Sequence, residues 1–489
     1  MKSLLAALLF VPSLLLAQSF MPADHRDLKT TISYPQMVSF LQSVDGKGVV
    51  RVSVEGTSTG GRSVYLVRLA RADTPSWKIL FYAQQHGDEV SGKDALLYLI
   101  RDVAANPDLL PKDTAVWIIP MMNPDGAEAG RRVNGAGFDL NRDHITLAQP
   151  ETLALHRVAG RVRPDIAVDC HEFGRDSGSW GRRGWEKWPD ITMDRMNNPI
   201  FDRGRIEAAD RWMESAAKAV EAAGYRFLRY WVGGVPPEDE QRHSAPDLDS
   251  GLNALATWGG LSFIIEASAR SSPAEAELGA RVDAYLSLFR MFIAQRSHRA
   301  EDSRAIRASR SRPFPSFVPV NYLWVNPEGT VTRFPVTETA TGRRLEIPTA
   351  NLMTEVAVKR AVSAPAGYAV APHAARVIGA LLDRQVVPYE SVQQARRVAV
   401  RACRLLRVED EFDEVYSRYE GRQIVQCDPP AERNLGAGSL YVPLEGDSAE
   451  RAALLLEPES LYGLYQYVDF RELVGWDGTL PVLKVVAPE

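Results

Sequence analysis

An imidazole and a carboxylate lie close together where an apolar run of this sequence ends. His86 precedes Glu89 by three residues and directly follows the run 79–82, which predicts a buried strand. Apolar residues at helical spacing then predict a helix over 90–100. Zinc takes such nitrogen and oxygen ligands, and a catalytic zinc keeps three of them with the fourth position open. The His-x-x-Glu pair alone is weak evidence for a metal site.

Three more polar residues follow or end predicted strands further along the chain. They are Asn123, His171 and Glu266. The predicted strands alternate with predicted helices, which favours a mixed or parallel sheet with helices on both faces. In such sheets the chemistry lies at the carboxyl ends of the strands. The agreement of four separate placements, including His86, is better evidence for a site than any one motif.

Together these motifs resemble the zinc carboxypeptidase family, the M14 metallocarboxypeptidases. The resemblance covers roughly residues 30–296, and a much weaker one relates the C-terminal third to an extension found on some bacterial members. It implies a mixed, mostly parallel central sheet with helices on both faces, and we expect a smaller C-terminal α+β domain. The matching elements, in the family's order, are His86-x-x-Glu89, Asn123-Pro124-Asp125-Gly126, Arg132-x-Asn134, Asp139-Leu140-Asn141-Arg142, Gln149-Pro150-Glu151-Thr152, Asp169-Cys170-His171-Glu172 and Glu266.

The resemblance implies a metal centre and a general base. His86, Glu89 and His171 would bind one Zn²⁺ per chain, with water in the fourth position. Glu266 would take a proton from that water and pass it to the leaving amine. Glu172 is a competing base because it adjoins His171, but in a continuous strand its side chain would point to the other face.

The resemblance also implies substrate-binding residues. Arg132 would polarise the scissile carbonyl, with Arg131 as the alternative if the register is shifted by one residue. Asn141 and Arg142 would hold the terminal carboxylate of a substrate, because a guanidinium can bind a carboxylate through two parallel hydrogen bonds. Both residues therefore favour removal of a C-terminal residue.

The sequence departs from the family in the region before Glu266. The digestive members carry a tyrosine on a mobile loop there, whereas residues 242–247 of this chain contain none. His243 could donate in its place, although a surface histidine is the alternative. Asp247 and Asp249 could favour a basic or diaminopimelate-like side chain. The departure makes broad peptide trimming a less secure prediction.

Length and composition bound the organisation of the chain. The 489 residues exceed one ordinary domain, and the net charge of -5 gives no footprint for nucleic acid or an anionic membrane. Residues 1–17 have the charged start, short apolar segment and small-residue end of a signal peptide, so we expect a secreted or periplasmic protein without a transmembrane segment. The other predicted parts are a catalytic domain (25–298), a linker (299–312) and an accessory α+β domain (313–489).

The sequence leaves alternatives for the cysteines and for the function. Cys403 and Cys427 could form a disulfide or remain two small buried residues. The oligomeric state is not predicted. The first functional hypothesis is a carboxypeptidase acting on peptides or peptide-like substrates with a free carboxylate. The second is a zinc amidase or deacylase acting on cell-wall peptides or N-acyl amino acids. The third is an inactive binding protein. Its tryptophans Trp180, Trp185 and Trp188 lie in a long irregular loop predicted over 175–200 and would stack on sugars or peptides.

Overall fold

The computed structural model of the protein describes residues 20–176, 178–269, 277–413 and 418–486. The predicted signal peptide, residues 1–17, lies outside the described residues. Within the described part, no helix combines the length and the apolar character needed to cross a membrane.

Strands and helices follow one another along residues 34–174. Helix α3 illustrates how the sequence starts them: the Asn123 side chain accepts a hydrogen bond from Gly126 N–H at 2.8 Å, and Pro124 fills the first helical position. The elements are α1 (Tyr34–Val44), β1 (Val50–Thr57), β2 (Ser63–Ala70), β3 (Trp77–Ala83), α2 (Ser91–Ala105), β4 (Thr114–Ile119), α3 (Pro124–Ala129), α4 (Pro150–Val162) and β5 (Ile166–Gly174).

Shorter strands and two long helices occupy the described residues of the ranges 178–269 and 277–294. Asp202 caps the longest helix by accepting a hydrogen bond from Arg205 N–H at 3.1 Å. The elements are α5 (Ser179–Arg182), β6 (Trp185–Lys187), β7 (Ile191–Arg195), α6 (Arg203–Ala222), β8 (Phe227–Arg229), β9 (Val232–Gly233), β10 (Gln241–Arg242), α7 (Gly251–Ala256), β11 (Leu261–Ala269) and α8 (Leu278–Ala294).

Eight of these strands form one sheet in the order β1-β2-β4-β3-β5-β11-β7-β8. The pairs β4–β3, β3–β5, β5–β11 and β7–β8 are parallel. The pairs β1–β2, β2–β4 and β11–β7 are antiparallel. The prediction of a mixed, mostly parallel sheet is therefore confirmed.

Helices cover both faces of this sheet. Along β3, Phe81 belongs to the cluster under α2 and α8, and its ring lies 4.8 Å from that of Phe289. Tyr82, one residue later, belongs to the cluster under α4 and α7, where Trp258 is also buried. Because both faces are covered, the central strands are apolar on both sides and show no alternation of polar and apolar residues.

One part of the sequence interpretation was wrong. Residues 175–200 were predicted to form a long irregular loop, but they contain α5, β6 and β7, and β7 is a strand of the central sheet. The strand was missed because it carries the charged residue Asp194. That carboxylate is fully buried and is neutralised by Arg229, whose Nε lies 2.9 Å away, and by a hydrogen bond from Ser244.

The stretch predicted as a linker is largely helical. Helix α9 (Arg299–Ser311) packs against α6. Asp302 on α9 is buried and accepts hydrogen bonds from Trp212 Nε1 at 2.8 Å and from Arg211 at 2.6 Å. These contacts hold α9 against α6.

Residues 313–413 and 418–486 form mainly antiparallel strands, and three short α-helices lie in these described ranges. Strands β17, β18, β19, β22, β23 and β24 make a six-stranded sheet, and β12 pairs with β16. The elements are β12 (Phe317–Val325), β13 (Thr332–Glu338), β14 (Arg344–Thr349), β15 (Leu352–Met353), β16 (Glu355–Ser363), β17 (Gly367–Val370), α10 (Ala375–Arg384), β18 (Glu390–Ser391), β19 (Arg396–Arg401), β20 (Cys403–Asp413), β21 (Arg418–Cys427), β22 (Ala431–Leu435), β23 (Leu440–Pro443), α11 (Ala449–Leu456), α12 (Val468–Arg471) and β24 (Val482–Val485).

The cysteines take one of the two arrangements left open above. Cys403 and Cys427 form a disulfide that joins the first residue of β20 to the last residue of β21. Cys170 is a free, buried thiol.

Two sheets are shared between the parts of the chain before and after residue 312. Strand β13 pairs with β6, with Val336 opposite Lys187, and β15 pairs with β10. A junction cluster of buried apolar residues covers this pairing, and Phe334 at its centre lies 4.5 Å from the Trp231 ring. The members of the junction cluster are Trp180, Trp231, Val235, Phe334, Val336 and Leu352.

We predict that Phe334→Ala lowers the free energy of unfolding by about 3–5 kcal/mol, because it leaves a cavity among close-packed aromatic rings. The control is Phe317→Ala, which removes a ring that is 60% exposed and should change stability by about 0.5 kcal/mol or less. Urea unfolding followed by tryptophan fluorescence measures both. Equal shifts for the two variants would contradict a structural role for the junction cluster.

Candidate metal centre and cleft

The turn after β3 brings His86 and Glu89 together. Their Nδ1 and Oε1 atoms are 2.7 Å apart. Gly87 lies against the start of α3 so closely that a Cβ atom there would meet the Gly126 carbonyl carbon at 2.1 Å. The turn therefore requires glycine at this position.

His171 reaches the same point from the neighbouring strand. It follows Cys170, which pairs with Ala83 at the end of β3. His171 Nδ1 lies 2.8 Å from Glu89 Oε2 and 3.1 Å from His86 Nδ1. The structure thus brings the three predicted metal ligands together, with one donor atom from each within 4.8 Å of the others.

Each histidine also contacts a carboxylate through its other ring nitrogen. His86 Nε2 lies 3.1 Å from Asp139 Oδ1, and His171 Nε2 lies 2.9 Å from Asp169 Oδ1. Such outer carboxylates orient a ligating histidine and leave its other nitrogen for the metal. The donor set of two Nδ1 atoms and one carboxylate therefore fits zinc.

The carboxylates at this centre favour the binding of protons or of a metal cation. Burial alone would lower the pKa of His86, but the Glu89 and Asp139 carboxylates outweigh it and raise that pKa. Burial alone would raise the pKa of Glu89, but His86 and His171 outweigh it and lower that pKa. Protons thus compensate the carboxylates in the metal-free protein, and metal binding would release them.

Glu266 lies beside the three converging side chains. Strand β11 pairs with β5 so that Glu266 is opposite His171. Burial raises the pKa of Glu266 to about 7, although His171 opposes the shift. Glu172 is directed to the other face of the sheet, where its carboxylate accepts a hydrogen bond from Ser91 N–H at 2.7 Å and lies 3.5 Å from Arg281. The geometry therefore favours Glu266 over Glu172.

Arg132 lies at the edge of the centre. Its Nε and Nη2 donate to Asp139 Oδ2 at 3.1 and 2.9 Å, and its Nη1 is 3.6 Å from Glu89 Oε1. The side chain is 46% exposed, so part of the guanidinium faces solvent. Arg131, the alternative, is exposed and does not line the cleft.

Asn141 lies beside the ring nitrogen of His171 that also contacts Asp169, and Arg142 is the next residue in the chain. Asn141 Oδ1 accepts a hydrogen bond from Gly251 N–H at 2.8 Å, and its Nδ2 is 3.4 Å from His171 Nε2. Arg142 donates to the Asn141 carbonyl at 2.5 Å and lies 3.6 Å from Asp249. Asp249 therefore contacts Arg142, which argues against Asp249 as a selector for basic side chains.

A cleft of ≈ 200 Å³ joins these groups. This is smaller than the roughly 300–1,000 Å³ of sites that enclose a drug-sized ligand. The cleft suits the end of a longer substrate. Its lining includes His86, Glu89, Arg132, Asn141, Arg142, His171, Glu172, Phe173, Lys187, Tyr230, Trp231, Ser250, Leu252, Ile264 and Glu266.

The structure corrects two interpretations of other residues. His243 does not line the cleft and is not on the surface: it is buried, and its Nδ1 lies 2.6 Å from the Tyr230 carbonyl oxygen.

Among the loop tryptophans, Trp180 is buried in the junction cluster. The guanidinium of Arg344 covers Trp188 at 4.2 Å from the ring centroid. Neither ring is free to stack on a ligand.

Sequence reasoning missed the wall of the cleft formed by Lys187, Tyr230 and Trp231. These residues lie in or beside short strands outside any recognisable motif. Their placement depends on the pairing of β6 with β13, whose residues are about 150 positions apart in the chain. No local signal in the sequence could have revealed it.

Comparison with known proteins gives partial matches. Residues 37–158 match the family model described as zinc carboxypeptidase. Carboxypeptidase 2 of Trichophyton tonsurans is 29% identical over 187 residues, covering 37% of this chain and 35% of that protein. Probable carboxypeptidase 2 of Trichophyton verrucosum (strain HKI 0517) is 34% identical over 189 residues, covering 37% of this chain and 36% of that protein. The chain thus spans about a third of the length of these curated relatives.

Similar solved structures include a metallo-carboxypeptidase from Pseudomonas aeruginosa in complex with (2-guanidinoethylmercapto)succinic acid. It is 24% identical with a TM-score of 0.44, and the match covers 55% of this chain and 70% of that one. Carboxypeptidase A from Helicoverpa armigera is 15% identical with a TM-score of 0.43, covering 60% and 80% of the two chains.

We predict that Glu266 makes the metal-free protein less stable as the pH rises. Its pKa is about 7 in the folded protein against an ordinary value of 4.5. Between these values the folded state holds a proton that the unfolded state has lost, so stability falls with rising pH, by roughly 3 kcal/mol in all. Glu266→Gln removes this contribution.

The measurement is urea unfolding of parent and Glu266→Gln in the presence of a chelator, from pH 4 to pH 8. The parent should lose stability relative to the variant from about pH 4.5 to about pH 7 and run parallel to it above that range. A parent that gains stability relative to the variant over this range would show that the pKa is not raised.

Proposed function

We propose that this protein removes the C-terminal amino acid from peptides. The premise is that the chain carries a domain of the zinc carboxypeptidase family. One Zn²⁺ per chain would be held by His86, Glu89 and His171. The observation that carries the proposal is the convergence of these three side chains beside Glu266, in a cleft that also contains Arg142.

Zinc bound in such a site supplies Lewis-acid chemistry and lowers the pKa of a coordinated water from about 15.7 toward 7. Asp139 and Asp169 hold the two histidines in orientation, as their contacts of 3.1 and 2.9 Å indicate. The protein thereby presents a fixed set of donor atoms, and little rearrangement of ligands is needed during turnover.

Glu266 is the proposed general base. It accepts the proton of the attacking water and delivers it to the leaving amine. A base works best when its pKa lies near the working pH, and burial, opposed by His171, raises the pKa of Glu266 to about 7. A nearby divalent cation lowers this pKa by favouring the carboxylate.

Arg132 is the proposed donor to the scissile carbonyl. Negative charge develops on that oxygen during attack, and a guanidinium stabilises it. Because Arg132 is half-exposed and bound to Asp139 on one edge only, it can offer its other N–H groups to a substrate.

Asn141 and Arg142 are the proposed grip for the terminal carboxylate. Asn141 is fixed by Gly251 and Arg142 by the Asn141 carbonyl, so both are pre-oriented. A substrate carboxylate held by Asn141 and Arg142 would place the last amide bond of the substrate beside Glu266. The same grip suits N-acyl amino acids and cell-wall peptides, so a zinc amidase or deacylase is the second candidate.

We further propose the domain boundaries and export predicted from the sequence: a signal peptide over 1–17, a catalytic part over 25–298, a connecting segment over 299–312 and an accessory part over 313–489. The disulfide between Cys403 and Cys427 supports export, since such bonds persist in oxidising compartments.

The first test compares a peptide that has a free C-terminus with its amidated twin. We expect the zinc-loaded protein to remove one residue from the free peptide only, because Arg142 requires a carboxylate; mass spectrometry detects the product. Arg142→Met should lower kcat/KM at least about tenfold, as loss of a charge-assisted pair would. Arg131→Met, at an exposed position, is the control. Cleavage of both twins at equal rates would contradict the carboxylate grip.

The second test separates catalysis from metal binding. Glu266→Gln should lower kcat by roughly 10²-fold or more while zinc content stays at one per chain, since general-base loss removes the proton transfer but no ligand. The control is Glu172→Gln, which alters the adjacent carboxylate on the other face. Steady-state kinetics and metal analysis are measured together. A kcat for Glu266→Gln within about tenfold of the parent would refute its assigned role.

A further inference from the structure

Lys187 presents a cation to the cleft that the proposed reaction does not use. Its Nζ lies 5.2 Å from the centroid of the Phe173 ring and 5.1 Å from that of Trp231. Neither a hydrogen-bond acceptor nor a carboxylate at ion-pair distance contacts this ammonium among the side chains that the structure describes. The N–H groups of Lys187 are therefore available to a ligand.

The position of Lys187 is fixed by the fold. Its backbone N–H donates to the Arg175 carbonyl at 2.9 Å, and its strand pairs with β13 opposite Val336. Trp231, which flanks the ammonium, is held in the junction cluster by Phe334 at 4.5 Å. A lysine placed between two aromatic rings in this way differs from a mobile surface lysine, because its head group is already positioned.

The surroundings of Lys187 favour an anionic ligand. Burial lowers its pKa to about 8, and the Glu266 carboxylate opposes the shift, so the amine is mainly protonated at neutral pH. A partly desolvated cation without a protein partner is costly unless another group compensates it. A carboxylate on the substrate would supply that compensation.

Lys187 and the carboxylate grip lie on opposite sides of the metal ligands. Asp169, His171 and Phe173 point to the same face of β5, because alternate residues of a strand share a face. Asn141 contacts His171 Nε2, on the Asp169 side, whereas the Lys187 ammonium lies on the Phe173 side. A substrate held at Asn141 and Arg142 therefore extends past the metal ligands toward Lys187.

We propose that Lys187 binds a carboxylate on the acyl side of the scissile amide, so that the protein favours substrates with Asp or Glu in one of the two residues before the C-terminal residue. The inference rests on the proposed function, because the grip at Arg142 decides which end of the substrate reaches Lys187. It makes Lys187 a specificity-determining residue. It also narrows the substrate class to acidic peptide ends.

The test measures binding, so that it does not depend on turnover. Two pairs of short peptides with free C-termini differ only by Glu or Gln, one pair at the residue before the last and the other pair one position earlier. Isothermal titration calorimetry gives Kd for each peptide with zinc-loaded Glu266→Gln protein, which binds without rapid cleavage. In at least one pair, the Glu peptide should bind about tenfold or more tightly, as a charge-assisted hydrogen bond would give.

Adding Lys187→Met to the Glu266→Gln protein should bring that ratio close to one while the Gln peptide keeps its Kd. Lys187→Arg should retain most of the preference. If the methionine variant does not fold by circular dichroism, Lys187→Gln replaces it. Lys359→Gln, which removes an exposed ammonium from β16, controls for net charge and should leave the ratio unchanged.

The proposal is overturned if the Glu and Gln peptides bind equally in both pairs. It is also overturned if the preference survives Lys187→Met, or if that variant weakens both peptides alike. Hydrolysis is assayed separately with the parent protein on the same peptides. Absence of cleavage with an intact charge preference would refute the proposed function and leave the role of Lys187 in binding supported.

Discussion

The site depends on the register of three parallel strands, β3, β5 and β11. Ala83 pairs with Cys170, and Glu266 pairs with His171, so the residues that follow or occupy these positions meet at one edge of the sheet. A slip of one residue would turn every side chain to the opposite face. Glu172 shows the consequence: it is one position beyond His171, and its carboxylate accepts a hydrogen bond from Ser91 N–H at the start of α2. Apolar packing on both faces of the sheet fixes this register and therefore fixes the site.

Electrostatics then sets what the site can bind. Glu89, Asp139 and Asp169 surround two histidines, so the centre carries more negative than positive charge unless protons or a metal ion are added. Three cations lie around this acidic centre in different directions. Arg132 is held by Asp139, and Arg142 is next to Asp249. The rings of Phe173 and Trp231 flank the Lys187 ammonium, and among the side chains that the structure describes no carboxylate lies at ion-pair distance from it. The two arginines thus have carboxylate neighbours that position them, whereas the Lys187 ammonium is available to a ligand.

Residues whose placement follows from local sequence could be predicted. His86, His171 and Glu266 each adjoin an apolar run, and strands of a mostly parallel sheet bring such residues to one edge. Residues whose placement depends on distant pairing could not. The strand β7 was hidden because the burial of Asp194 depends on its contacts with Arg229 and Ser244. The strand that carries Lys187 is paired with β13, which lies far away in the sequence. In both cases the partner, a charged side chain or a strand, is remote in sequence, so composition and periodicity do not reveal it.

The same remote pairing changes how the C-terminal part should be understood. Strand β13 supplies the hydrogen-bonding neighbour of β6, and Phe334 supports the ring of Trp231 beside the Lys187 ammonium. Without these contacts β6 would be an unpaired three-residue strand, and such a short segment does not hold its side chains in one orientation. The three converging side chains that could hold a metal come from residues before 300, whereas residues after 312 support the wall of the cleft at Lys187 and Trp231. The C-terminal part therefore contributes to the shape of the cleft, and the proposed selection by Lys187 would depend on the junction between the two parts.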